Sequence, residues 1–215
     1  CALPICDNAL YGNTTGQYNT AVGYASLQSN TYGQNNVALG DHALFNNTTA
    51  QYNTAVGTSA MYWNTTGQYN TALGYKTLYA QTSGNINLAI GGFALYQNTT
   101  ASENVSIGYQ SSYTNQTGTN NTIVGNYSNF YNVSGSQNTS LGFNALIFNL
   151  GTSNTAVGYQ AGYSITSGSN NLLLGNGADV SSPTVSNEVT IGNTDIRSEE
   201  HTSELQSLAY LVCRL

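Results

Sequence analysis

Only 6% of the 215 residues are charged, and three basic residues against nine acidic ones leave a formal charge of −6. Charged residues usually make up about a quarter of a soluble chain, and a surface this poor in cations cannot neutralise phosphates, which excludes nucleic acid and anionic lipid as expected partners. No apolar run approaches the ~20 residues that span a bilayer, so no membrane insertion is expected of this segment.

The chain opens at Cys1 without an initiator Met or a basic-then-apolar leader. Residues 1–6 read as the ragged end of a fragment or as a first coil, and any export signal would lie upstream. Cys1 and Cys6 could pair in an oxidising compartment, but they lack the spacing of a zinc site.

From residue 7 the sequence repeats. QYNTAVG at 17–23 returns at 51–57 and again as QYNTALG at 68–74. The Gly of that phrase falls at Gly23, Gly40, Gly57, Gly74, Gly91, Gly108, Gly125 and Gly142 in steps of 17, and after one dropped residue at Gly158, Gly175 and Gly192. Before each stands a branched aliphatic: Val22, Leu39, Val56, Leu73, Ile90, Ile107, Val124, Leu141, Val157, Leu174 and Ile191. Three residues earlier stands Asn, from Asn19 to Asn171, until Glu188 breaks the series.

A second block follows each Gly. It starts with a small residue (Ser26, Ala43, Ala60, Thr77, Ala94, Ser111, Ser128, Ala145, Ala161) and then a mostly large apolar one (Leu27, Leu44, Met61, Leu78, Leu95, Leu146). An aromatic comes next (Phe45, Tyr62, Tyr79, Tyr96, Tyr113, Phe130, Tyr163), and a second Asn series runs through Asn13, Asn30, Asn47, Asn64, Asn98, Asn115, Asn132 and Asn149.

Seventeen residues are too few for the helix pairs of helical repeats, and T-A-V or V-A-L alternates with the period of a strand. The expectation is an all-β parallel β-solenoid, a β-roll of about eleven coils over residues 7–196, each with two short strands and two turns. At ~4.8 Å per coil it forms a rod roughly 50 Å long. The eleven aliphatics before Gly are expected to form the interior ladder, the small residues to give them room, and the Asn amides to bond up and down the stack. The missing residue between Asn138 and Asn154 should shorten a turn and leave the strands in register, because a slip within a strand inverts every side chain. For the aromatic column two placements stay open: an outward stack with wet hydroxyls, or a Leu/Tyr face buried against other copies.

Site chemistry is sparse. Outside the final stretch His42 is the single His, and Asp7, Asp41, Glu103, Asp179, Glu188 and Asp195 occupy no common repeat position. No nucleophile–base set, carboxylate pair or metal cluster emerges. GNGADVSSP at 175–183 lacks the lysine of a phosphate loop and marks where the solenoid ends or bulges. No catalysis and no cofactor are expected. Asn13, Asn47, Asn64, Asn98, Asn115 and Asn132 open N-x-S/T sequons at one repeat position. They read as an Asn ladder with polar turns in a bacterial or phage protein, and as glycan acceptors in a secreted eukaryotic one.

RSEEHTSELQS at 197–207 abandons the repeat. Residues 197–215 look like the translation of a sequencing adapter, a non-native tail, the other reading being a short polar capping helix.

The phrases NTAVG, NVALG, NLAIG and NVSIG resemble the coil motif of trimeric autotransporter adhesin heads. The longer NTAVGYxALYxNTTGxY resembles repeat regions of bacteriophage tail fibres, and SNEVTIGNTDI at 186–196 resembles the exit from such repeats. The adhesin coils are shorter than 17 residues, so that match is inexact. The resemblance implies a left-handed β-roll assembled as a homotrimer, extracellular, on a cell surface or on a virion. Its role would be structural or adhesive, with a host-surface glycan or protein as receptor. The alternative is a self-assembling extracellular filament, glycan-coated in a eukaryotic host.

Overall fold

The structure, a computed structural model, describes residues 3–193, with side chains from Cys6 onward. Cys1, Asp195 and the adapter-like stretch 197–215 lie outside the described residues.

The architecture is an all-β parallel solenoid. Its twelve three-residue strands are β1 (Leu3–Ile5), β2 (Thr20–Val22), β3 (Val37–Leu39), β4 (Thr54–Val56), β5 (Thr71–Leu73), β6 (Leu88–Ile90), β7 (Val105–Ile107), β8 (Thr122–Val124), β9 (Thr139–Leu141), β10 (Thr155–Val157), β11 (Leu172–Leu174) and β12 (Val189–Ile191). They form one sheet in sequence order. Each strand pairs only with the one before and the one after, residue on equivalent residue, as in Thr54↔Thr71, Ala55↔Ala72 and Val56↔Leu73. Identical phrases therefore stack as identical columns, the arrangement of a one-dimensional repeat protein.

The dropped residue falls in a turn. Asn149 reaches the Gly151 carbonyl two residues on, where its equivalents span three, as Asn132 does to Gly135. Thr139 still pairs with Thr155 and Leu141 with Val157, and both Leu141 and Val157 keep their outward direction.

One strand per coil is present among the described residues, not two. The stretch after each Gly instead places left-handed residues at alternate positions, such as Ala25 (φ 54°) and Leu27 (φ 51°), repeated at His42 and Leu44 and at Ser59 and Met61. This turns the peptide groups parallel to the axis, so Leu27 N–H donates to the Ala43 carbonyl at 3.0 Å and Ser29 N–H to that of Phe45 at 3.0 Å. The backbone is thus satisfied coil to coil without an extended conformation. A left-handed non-glycine residue costs roughly 1–2 kcal/mol, and the inter-coil hydrogen bonds offset it. The Gly column is a separate case: Gly40 has φ +135°, and a Cβ there would lie 2.7 Å from the Gly57 carbonyl oxygen, a position only Gly occupies comfortably.

The interior corrects the sequence-based ladder. In β2 to β11 it is the middle residue that points in: Ala21, Ala38, Ala55, Ala72 and Ala89 are fully buried, as are Ser106, Ile123 and Leu173. The branched aliphatics Val22, Leu39, Val56, Leu73, Ile90, Ile107, Val124, Leu141, Val157, Leu174 and Ile191 are half-buried or exposed on the outer face, with Leu39, Leu73 and Leu141 at 45–48% and Ile191 at 73%. The lumen is filled from the opposite side by Leu27, Leu44, Met61, Leu78, Leu95 and Leu146, all fully buried. A Leu from one wall leaves room only for Ala on the other, because interiors pack at near-crystalline density. The exceptions obey the same rule. Gly162 stands in the Leu column, and a Cβ there would meet Leu146 Cδ2 at 2.7 Å and Leu173 Cδ1 at 2.8 Å: the strand centre enlarges where the facing column shrinks.

Candidate functional site

Two amide ladders close the narrow core. The first holds the Asn that precedes each strand. Asn70 donates its backbone N–H to Asn53 Oδ1 at 2.9 Å and its Nδ2 to the same oxygen at 3.2 Å and to the Gly84 carbonyl at 2.9 Å. Its own Oδ1 accepts from Asn87 N–H and Nδ2 at 2.9 and 3.1 Å. The second ladder is the sequon column. Asn47 Nδ2 donates to Asn30 Oδ1 at 2.7 Å and to the Ala50 carbonyl at 3.3 Å, and Ala50 O also accepts from Asn36 of the first ladder at 2.9 Å. The ladders therefore meet on one inward carbonyl per coil.

This geometry corrects the glycan reading of the sequon column. Asn47, Asn64, Asn98, Asn115 and Asn132 are at most 1% exposed. Asn13, half-buried in the first coil, uses its Nδ2 on the Gly16 carbonyl. A glycan on that nitrogen removes a donor and does not fit the lumen. Gln81 occupies the same column without a sequon and makes the same bond, to Gly84 O at 3.1 Å, so up to Asn149 the column holds a primary amide, and Ile165 then takes the buried position.

The outer surface carries two apolar features. One is the aliphatic column on the sheet, flanked by the outward Thr20, Val37, Thr54, Thr71, Leu88 and Val105. The other is an aromatic wall. Phe45, Tyr62, Tyr79, Tyr96, Tyr113 and Phe130 form a continuous half-buried stack with centroids 4.9–5.3 Å apart and planes within 22°. Phe93 packs edge-on against Tyr75, Tyr96 and Tyr109 beside it. Of the Leu/Tyr face read from the sequence, the Leu half is core and only the aromatic half is surface.

Lys76 Nζ lies 5.3 and 5.4 Å from the centroids of Tyr75 and Tyr79. A hydrogen bond to Tyr75, then the charge interaction with that phenol, raise its pKa above the ordinary lysine value, while burial raises that of Tyr113. At the far end Glu188 replaces Asn. Its N–H still donates to Asn171 Oδ1, but its carboxylate accepts from Ser181 N–H, Ser181 Oγ and Thr190 Oγ, which lower its pKa. Asp41 contacts its neighbour His42, and Asp7 and Glu103 stand elsewhere on the surface. Among the described residues no three His, Cys, Asp or Glu gather where they could hold a metal, and no helix is long and apolar enough to cross a membrane. Comparisons with family models, curated proteins and solved structures give no match.

Proposed function

We propose that the chain is a non-enzymatic fibre segment that assembles as an elongated homotrimer through the outer face of its sheet. The observation that carries this reading is the unbroken outward column of eleven branched aliphatics, Val22 to Ile191. The fold does not need them inside, since Ala and Leu fill the lumen, and a contiguous exposed apolar strip of this kind marks an interface. A contact of that face that closes at three copies covers every strip without leaving one open for growth. The resemblance of the repeat to phage tail fibres and trimeric adhesin heads supports the same arrangement, an extracellular or virion-borne spacer that presents a receptor-binding surface to a host glycan or protein.

Sedimentation of the full chain tests this. Three chain masses with a frictional ratio far above a sphere's are expected. Val56→Asp combined with Leu73→Asp should keep the β circular dichroism spectrum and sediment as a monomer, whereas Ala55→Asp should unfold, a buried unpaired carboxylate costing several kcal/mol. A parent chain that stays monomeric at high concentration overturns the trimer.

A further inference from the structure

We propose that Tyr52 and Tyr69 form an oxidative cross-linking site, at which a one-electron oxidant joins two successive coils through a carbon–carbon bond between their phenol rings. Both occupy the corner immediately before the inward Asn that leads into each strand. Their rings lie face to face, with centroids 4.8 Å apart and planes within 4°, and both are open to solvent, at 46% and 56% exposure. The backbone fixes them at adjacent levels: Tyr52 N–H donates to Gln34 O at 3.1 Å and Tyr69 N–H to Gln51 O at 3.2 Å. Only side-chain torsions separate the stacked geometry from bonding contact, and reactive groups held this close react as if at very high concentration.

The remaining stacked tyrosine pairs among the described residues lie in the aromatic wall. They are half-buried and braced by Trp63, Phe93 and Lys76, so neither oxidant access nor ring reorientation is as free. Tyr18 shares the column of Tyr52 and is more exposed, at 66%, but Asn35 occupies the coil between them.

The chemistry balances with a peroxide as oxidant, turned over by a peroxidase. Each phenol gives up one electron and one proton, the two neutral phenoxyl radicals couple at ring carbons ortho to oxygen, and the two displaced ring hydrogens move to the oxygens to restore aromaticity. Two phenols and one hydrogen peroxide give one dityrosine and two waters. The product is a covalent staple across a 17-residue coil, and it depends on the in-register fold alone, whatever the oligomeric state.

The test treats the full chain, as an equal mixture of unlabelled and nitrogen-15-labelled copies, with peroxidase and limiting hydrogen peroxide, then maps cross-linked peptides by mass spectrometry. The main product should join Tyr52 to Tyr69 within one chain. Tyr69→Phe should remove it and cut dityrosine fluorescence several-fold, and Tyr18→Phe should leave both unchanged. Cross-links that follow exposure, with Tyr11 at 79% foremost, overturn the proposal, as do products only between chains or no 52–69 product at all.

Discussion

Replacing Asn70 by Asp changes one nitrogen to oxygen at a fully buried position, and the hydrogen bonds around it set the cost. The parent Nδ2 donates to Asn53 Oδ1 and to the Gly84 carbonyl. In the variant a carboxylate oxygen faces both of these acceptors. Two lost hydrogen bonds cost about 1 kcal/mol each, and an unpaired buried charge adds roughly 3–5 kcal/mol. The bonds from Asn87 N–H and Nδ2 survive and recover part of this, so Asn70→Asp should cost about 4–6 kcal/mol at neutral pH. Burial raises the folded-state pKa of the new Asp above its unfolded value of about 3.9. The folded variant then binds the extra proton, so its deficit shrinks to about 2 kcal/mol as the pH falls and the protonated carboxyl regains a donor. Urea unfolding at pH 3.5 and 7, with parent and variant side by side, measures both numbers. Each coil touches only its neighbours, so amide exchange should lose protection first in the coils of Asn53, Asn70 and Asn87. A variant as stable as the parent at pH 7, or one that weakens on acidification relative to it, refutes the amide ladder as the element that holds the coils.

Three further outcomes are expected. Gly40→Ala should cost more than 3 kcal/mol in chemical denaturation, about 1–2 from the left-handed backbone and the rest from the close approach to the Gly57 carbonyl; a loss under 1 kcal/mol refutes the close approach. Ile86 is β-branched, 57% exposed and held at φ 56°, so Ile86→Asn should raise stability by about 1 kcal/mol, seen as a higher urea midpoint. Glu188 has a depressed folded-state pKa, so its contribution is present above the unfolded carboxylate pKa and is lost as pH falls through the folded one. Amide exchange of residues 177–192 should therefore increase on acidification in the parent, relative to a coil such as 54–70, and Glu188→Gln should abolish that dependence.

The 17-residue step, the parallel register, the Asn stacks and the small column beside Leu27 and Leu44 were all legible in the sequence, because columns of identical residues survive only where coils superpose. The inward parity of the strand was not. T-A-V alternates equally well either way, and the larger aliphatic looked like core until the Leu column proved to fill the lumen. A signal did exist: Ile123 appears at a strand centre where Ser112 and Asn129 interrupt the facing Leu column, and Leu173 appears against Gly162. Swaps of volume between two columns identify them as facing partners. The sequon column misled because N-x-T describes an acceptor without regard to burial. The spacing from Asn64 to Gly67 and from Gln81 to Gly84 was the physical statement, an amide bonded three residues ahead. The left-handed residues after each Gly left no trace in composition, since Leu, His, Lys and Phe all occupy them.

Because coils built on the same phrase present near-identical upper and lower surfaces, whole coils of that kind can be added or lost with little change in the contacts of the rest. Recombination between near-identical stretches such as 17–23, 51–57 and 68–74 would lengthen or shorten the rod by ~4.8 Å per coil at constant cross-section. The length of the rod thereby becomes a heritable quantity set by copy number, changed with no residue redesigned.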